Sequence, residues 1–301
     1  MENYRHLNIL VTGGSGFLGS HVSDALSEAG HRVTILDIAK SHYLRSDQDS
    51  LIVDIMDKDA INEAFNNIDV VFHFAAVADL DLAYNNPLST MTINVLGTTN
   101  ILEAARLNKV NKVILGSTIY VNSRTGSFYR VSKHACELLV EEYQKRYGLD
   151  YSILRFGTLY GTRCDKSNSI YRLLNEALTS GKIKFFGSGN ETREFIHVLD
   201  AARVCVESVN DKYNGETLIL TGQHRYRLFE LIDMINEILG NKIEISYDSS
   251  GSKSHYTQTP YSYIPRVGKK IVSNTYCDLG QSLVEILDEI DSKNEKKQIS
   301  I

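Results

Sequence analysis

The stretch "TGGSGFLGS", residues 12–20, directly follows the apolar run "NILV" and sets Gly13, Gly16 and Gly19 three residues apart. Glycine loses more backbone entropy on folding than any other residue. Such a cluster therefore marks a place where the chain needs positive φ or close backbone approach. A strand that feeds a helix through a tight turn has both needs. The helix that follows aims free N–H groups and the positive end of its dipole into the turn, where a pyrophosphate fits. Asp37 ends "TILD", 18 residues beyond Gly19. That is the distance at which an acid meets the ribose hydroxyls of an adenine dinucleotide. A carboxylate there repels a 2′-phosphate, which favours NAD over NADP.

The rest of the chain carries the matching rhythm. "NILVT", "RVTILD", "DVVFHF", "KVILGS" and "DYSILRF" read as strands, with helix-like segments at 17–29, 58–67, 93–107 and 130–147 between them. Strands alternating with helices predict a parallel sheet wrapped by helices, and near-continuous apolar strands fit a sheet buried on both faces. The expected architecture is a doubly wound α/β domain of the Rossmann type over residues 1–165. A smaller α/β domain over 166–301 follows, from which later segments can return to the first. Helical patterns at 168–180, 226–239 and 279–292 fall in this second part.

Bulk properties narrow the function. The formal charge is −5, with 32 basic and 37 acidic residues interspersed, so nucleic acid and acidic membrane surfaces are poor partners. No apolar run approaches the length of about 18 residues that spans a bilayer, and "MENYRHLNIL" does not read as a signal peptide. Cys136, Cys164, Cys205 and Cys277 form no CxxC pair. They read as reduced thiols of a cytoplasmic protein, with no metal site expected.

The GxxGxxG spacing resembles that of the extended short-chain dehydrogenase/reductases, specifically the NAD-dependent epimerase/dehydratase family acting on nucleotide sugars. Other segments carry the same resemblance: "LIVDIMD", "HFAA", "NPLSTMTINVLGTTNILEAA", "YRVSK", "LRFGTLYGTR" and "GSGNETREFIHVLDAA", together spanning roughly residues 8–240. The resemblance implies a cofactor site at Gly13, Gly16, Phe17, Leu18, Asp37 and Ile38. Asp54 would bond the adenine amine with Ile55 beside the ring, and Phe74, Ala75 and Ala76 would line the site. A nucleoside-diphosphate sugar is the implied substrate, held by Arg193 at its diphosphate, with Thr158 where many epimerases carry an asparagine. Arg266 is a second candidate clamp, although "YIPRVGKK" does not reproduce the family's RRPGD stretch. The tyrosine-rich 255–265 either covers the base or sugar or is a surface loop.

Tyr129 and Lys133 are four apart in a helical pattern, so both face one way. A neighbouring ammonium and a nicotinamide cation pull a phenol's pKa of about 10 toward neutral. The resulting phenolate takes the proton of a sugar hydroxyl while hydride leaves the same carbon for NAD⁺. The resemblance assigns the third catalytic place to Thr118, the second hydroxyl of the strand-end pair, with Ser117 in reserve. It also makes Lys133 a partner of the nicotinamide ribose.

Two departures from the family bear on the reaction. Thr118 and Tyr129 are only 11 residues apart, so the loop that commonly walls the sugar pocket is short and the site more open. Ile119 and Tyr120 follow Thr118 where sugar 4,6-dehydratases carry Asp-Glu, and the glutamate usual in decarboxylases is missing too. Hydride chemistry at C4 remains: 4-epimerisation first, with 4-dehydrogenase and 4-keto reductase as alternatives, and a non-catalytic NAD-binding protein on the same fold, which would typically have lost Tyr129 or Lys133, as the reading from another class. Apolar spacings in 95–105 and 135–143 fit either helix pairing in a homodimer or packing within one subunit.

Overall fold

The computed structural model describes residues 6–248, 269–271 and 275–299. Among these, the strands are β1 (Asn8–Thr12), β2 (Arg32–Asp37), β3 (Gln48–Ile52), β4 (Val70–His73), β5 (Lys112–Thr118), β6 (Asp150–Phe156), β7 (Thr158–Tyr160), β8 (Lys182–Phe185), β9 (Thr192–His197), β10 (Glu216–Leu220), β11 (Arg225–Arg227), β12 (Glu244–Tyr247) and β13 (Lys269–Lys270). The helices are α1 (Phe17–Glu28), α2 (Lys58–Ala64), α3 (Leu80–Asn85), α4 (Pro87–Met91), α5 (Gly97–Leu107), α6 (Ser127–Tyr147), α7 (Ser169–Ser180), α8 (Val198–Glu207), α9 (Leu228–Ile238) and α10 (Leu279–Ile299).

Eight described strands form one sheet in the order β3-β2-β1-β4-β5-β6-β10-β13, every neighbouring pair parallel. The period-2 alternation of strands sorts the core. Leu10, Leu36, Val71 and Leu115 face one side, against α2, α5 and α6; Ile9, Val11, Phe72 and Ile114 face the other, toward α1 and α8. Chain order reverses at β1, flanked by β2 and β4. In open α/β sheets, ligands bind in the crevice beyond the carboxyl ends of the strands at such a switch point. Thr12, Asp37, His73 and Thr118 all stand at those ends.

The second half is not a separate layer. α8 packs on α1, and β10 extends the large sheet beside β6. The remaining segments build a third core, with β7, β9 and β11 in one small sheet, β8 and β12 in another, and α7, α9 and α10 around them. Arg163 ties the halves together. Its main-chain N–H donates to Glu289 of α10 at 3.1 Å, and its guanidinium pairs with Asp24 of α1 at 2.7 Å.

The helix expected over 93–107 begins differently. Thr92–Leu96 is a π turn, and α5 starts only at Gly97. Asn94 is its one buried residue and is pulled inward: its side chain accepts from the N–H of Val77 at 2.7 Å and donates to the C=O of Val77 at 3.0 Å. Such turns recur at functional sites. Among the described residues no helix is long and apolar enough to cross a membrane, and no cluster of three or more metal-ligating side chains occurs.

Candidate active site

The glycine turn is a backbone cradle. Gly13 has φ +70° and lies so close to the next strand's exit that a Cβ would sit 2.7 Å from the nitrogen of Ala75. At Gly19 a Cβ would lie 2.1 Å from the carbonyl of Gly13, which brings α1 hard against the turn. Gly16 is the N-cap of α1 and no side chain caps it, so the amides of the first turn, at Phe17 and Leu18, are left for a ligand with the helix dipole behind them. Asp37 accepts from the N–H of Ser15 at 3.0 Å, fixing the carboxylate against the turn. This arrangement fits a dinucleotide pyrophosphate and ribose. Ile38 beside it is 71% exposed, free to cover an adenine. Asp54 accepts from the N–H of Met56 at 2.9 Å, and Ile55 is buried against Gly97.

Below the cradle, His73 is fully buried. Thr98 Oγ1 donates to the carbonyl of Asn94 at 2.6 Å, so the His73 Nε2–H donates to Thr98 at 2.9 Å and Nδ1 accepts from Thr12 Oγ1 at 2.7 Å. Burial first, then the charge of Lys133, pushes His73 down to about 3, so it stays neutral. The Ala75 N–H donates to Thr12 Oγ1 at 3.4 Å, and the Phe74 ring packs under Gly116 of β5. Ala76 follows at the same strand exit. A continuous packed path therefore runs from the turn to the neighbourhood of Lys133.

On α6, Tyr129 and Lys133 point toward the end of β5. The Lys133 side chain is buried and its Nζ donates to the carbonyl of Gly116 at 2.8 Å. Burial lowers its pKa, while Cys136 and Glu137 oppose that. Tyr129 is half-buried. Burial pushes its phenol up to about 12, and the Thr118 hydroxyl beside it pulls the other way. Desolvation is the larger of these influences on the phenol in this structure. Thr118 ends β5 and caps the short turn Ile119–Asn122, its hydroxyl accepting from the N–H of Tyr120. Ser117 is turned the other way and donates to Glu137 at 2.5 Å. Of the two strand-end hydroxyls, Thr118 is the one beside the phenol.

Thr158 and Arg193 lie on neighbouring strands of the small sheet. Thr158 on β7 pairs with Phe195 on β9, two residues from Arg193, which pairs with Tyr226 of β11. Arg193 is buried and donates to the carbonyl of Thr192 at 3.0 Å. His197 is buried, caps α8 through Nδ1 and is pushed down to about 4 by desolvation. Arg266 and the segment 255–265 lie outside the described residues. Sequence reasoning missed Asn94, which also donates to Ser132 Oγ at 2.9 Å while Ser132 donates to the carbonyl of Tyr129 at 2.9 Å. The π turn that aims it has no periodicity of its own to reveal it.

The family model of the NAD dependent epimerase/dehydratase family matches residues 9–220. A Methanocaldococcus jannaschii protein provisionally named UDP-glucose 4-epimerase is 34% identical over 263 residues, 80% of this chain and 85% of its own length. A UDP-N-acetyl-alpha-D-glucosaminuronate decarboxylase of Bacillus cytotoxicus is 30% identical over 262 residues, 78% of this chain and 81% of its own. Among solved structures, a UDP-glucuronic acid 4-epimerase mutant of Bacillus cereus, in complex with UDP-4-deoxy-4-fluoro-glucuronic acid and NAD, superimposes with a TM-score of 0.85 at 25% identity, covering 95% of this chain and 99% of its own. With the cradle, the Tyr129–Lys133 face and these matches taken together, the chain belongs to the NAD dependent epimerase/dehydratase family.

Proposed function

We propose that this chain oxidises the sugar of a nucleoside-diphosphate sugar at C4 and returns the hydride to the opposite face, as a 4-epimerase. The observation that carries this reading is the Thr118 hydroxyl beside the Tyr129 phenol, with Lys133 one turn further on α6. Tyr129 takes the proton of the C4 hydroxyl, Thr118 shares a hydrogen bond with that oxygen, and Lys133 holds positive charge near the phenol. When bound, NAD supplies the acceptance and return of hydride. Gly13, Gly16, Phe17 and Leu18 hold its pyrophosphate, Asp37 and Ile38 the adenosine ribose and ring edge, and Asp54 and Ile55 the adenine. Phe74, Ala75 and Ala76 line its path toward Tyr129. Arg193 and Thr158 hold the substrate diphosphate, the guanidinium by paired hydrogen bonds.

The residues after Thr118 favour epimerisation over elimination. Ile119 is 1% exposed and apolar, and Tyr120 packs beside it; neither relays protons as a carboxylate does. Two relatives' names support chemistry at C4, while the decarboxylase among them keeps a second outcome in view. The test is to incubate the protein and NAD with UDP-glucose, UDP-N-acetylglucosamine and UDP-glucuronic acid and follow the products by NMR. The expected product is the 4-epimer. Accumulated NADH with a 4-keto sugar marks a dehydrogenase, and a pentose with released CO₂ a decarboxylase. A 6-deoxy-4-keto sugar overturns the argument from Ile119 and Tyr120. We also infer a homodimer that covers the exposed Leu96, Val131 and Leu138, 40–44% accessible. A monomeric mass by light scattering would remove it.

A further inference from the structure

Further along the reactive side of α6 lies an ion pair with no part in the proton transfer described above. Glu137 continues the series Tyr129, Lys133, Glu137 at four-residue spacing, so all three lie along one side of the helix. Its side chain is 1% exposed and that of its partner Arg155 is 4% exposed. The pairing is bidentate: Arg155 Nε donates to Oε1 at 2.9 Å and Nη2 to Oε2 at 2.7 Å. Ser117 Oγ adds a third donor to Oε1 at 2.5 Å. Ser117 and Arg155 are directly opposed partners in the β5·β6 ladder. The carboxylate thus clamps α6 across two strands, one residue before Thr118 and one after Gly116, the carbonyl that holds Lys133.

A buried ion pair is weak evidence for stability, because desolvating both charges offsets much of their attraction. Its location suggests another use. The titratable groups set against Lys133 are Tyr129, Cys136 and Glu137 from α6 and the neutral His73 from β4. Arg155 reaches this group from β6 only through Glu137. Among these, Glu137 is the carboxylate.

We propose that Glu137, held by Ser117 and Arg155, is a positioning residue: it fixes the Lys133 ammonium and the strand end carrying Thr118 in the arrangement that turnover requires. This rests on the reading in which Thr118, Tyr129 and Lys133 perform the proton transfer. It acts by two routes. The clamp sets the height of α6 over β5, hence the reach from Tyr129 to the reacting oxygen. The carboxylate supports the positive charge of Lys133 inside a desolvated site.

Ser117→Ala removes one donor and leaves the ion pair whole; Glu137→Gln with Arg155→Met removes both charges and leaves no lone ion behind. With the full chain, NAD and a UDP-sugar that the parent turns over, Ser117→Ala should lower kcat about tenfold with KM little changed, and Ser117→Thr should restore it. The double variant should move the high-pH limb of kcat/KM to lower pH, because Lys133 loses the carboxylate that favours its charged form. Tyr129→Phe serves as control. If it is inactive while Ser117→Ala keeps kcat within twofold and the double variant keeps the parent pH profile, the positioning role is overturned and the proton-transfer reading stands. If Tyr129→Phe stays active, that reading fails and this inference with it. Should the double variant not fold, the Ser117→Ala and Ser117→Thr pair decides alone.

Discussion

The two halves of the candidate active site are made of different material. The dinucleotide cradle is main chain: Gly13, Gly16 and Gly19 contribute no atoms beyond Cα, and its ligand-facing groups are amides at the start of α1. The α6 face is side chain throughout, a phenol, an ammonium and a hydroxyl brought together from a helix and a strand end. A site built from backbone is broken by adding atoms, and one built from side chains by removing them. The cradle therefore depends on close approach, the α6 face on the identity of single polar atoms.

That contrast can be tested from its strongest consequence downward. Deleting one oxygen in Tyr129→Phe should cut kcat by about 10³-fold while NAD affinity by calorimetry stays within a few-fold of the parent. Equal loss of both would mean that the phenol belongs to the cradle. Adding atoms in Gly13→Val should weaken NAD binding by at least about 100-fold, since the new side chain meets the Ala75 backbone at a φ that a β-branched residue avoids. An intact far-UV spectrum with retained binding would show that the cradle yields.

The third test falls between the halves. His73, neutral and buried beneath both, has its pKa pushed below the ordinary 6.5 to about 3. The unfolded chain therefore binds that proton first. The stability is full above pH 6.5 and is lost as pH falls toward 3. Urea unfolding at pH 6.5 and at about pH 5 should differ by about 2 kcal/mol from this group, with His197 adding in the same direction, and His73→Asn should flatten the slope. The smallest effect expected is at Asp37, the acid set against the glycine turn. Asp37→Ala should weaken NAD binding about tenfold and narrow the preference over NADP. A loss as large as that in Gly13→Val would show that the cradle depends on a side chain after all.

What could be read from the chain followed the same division. The glycine turn, Asp37 and the Tyr129–Lys133 pair are local patterns with fixed spacings, and β1, β2, β4, β5 and β6 announced themselves as apolar runs. All lie where expected within a residue or so. The Ser117–Glu137–Arg155 clamp joins three segments whose proximity depends on strand register, which no local pattern encodes. The same holds for Thr158 beside Arg193, placed by family resemblance and not by spacing. Asn94 escaped because a π turn breaks the 3.6-residue period that would have pointed it inward. The short strands β7, β9 and β11, with three to six residues each, carry too little alternation to be distinguished from loops. How far burial pushes the phenol up is set by packing, which no spacing encodes.

The stitch that Arg163 makes between α1 and α10 has a bearing on biogenesis. While the ribosome is still extending the chain, β6 has one paired edge and one bare one, and Asp24 on α1 awaits a guanidinium from a loop not yet anchored by Glu289. Exposed strand edges are the surfaces through which nascent chains stick to one another. The open edge of β6 is therefore covered only once β10 has emerged, and a chain halted before that point would present chaperones and proteases with a bare strand edge.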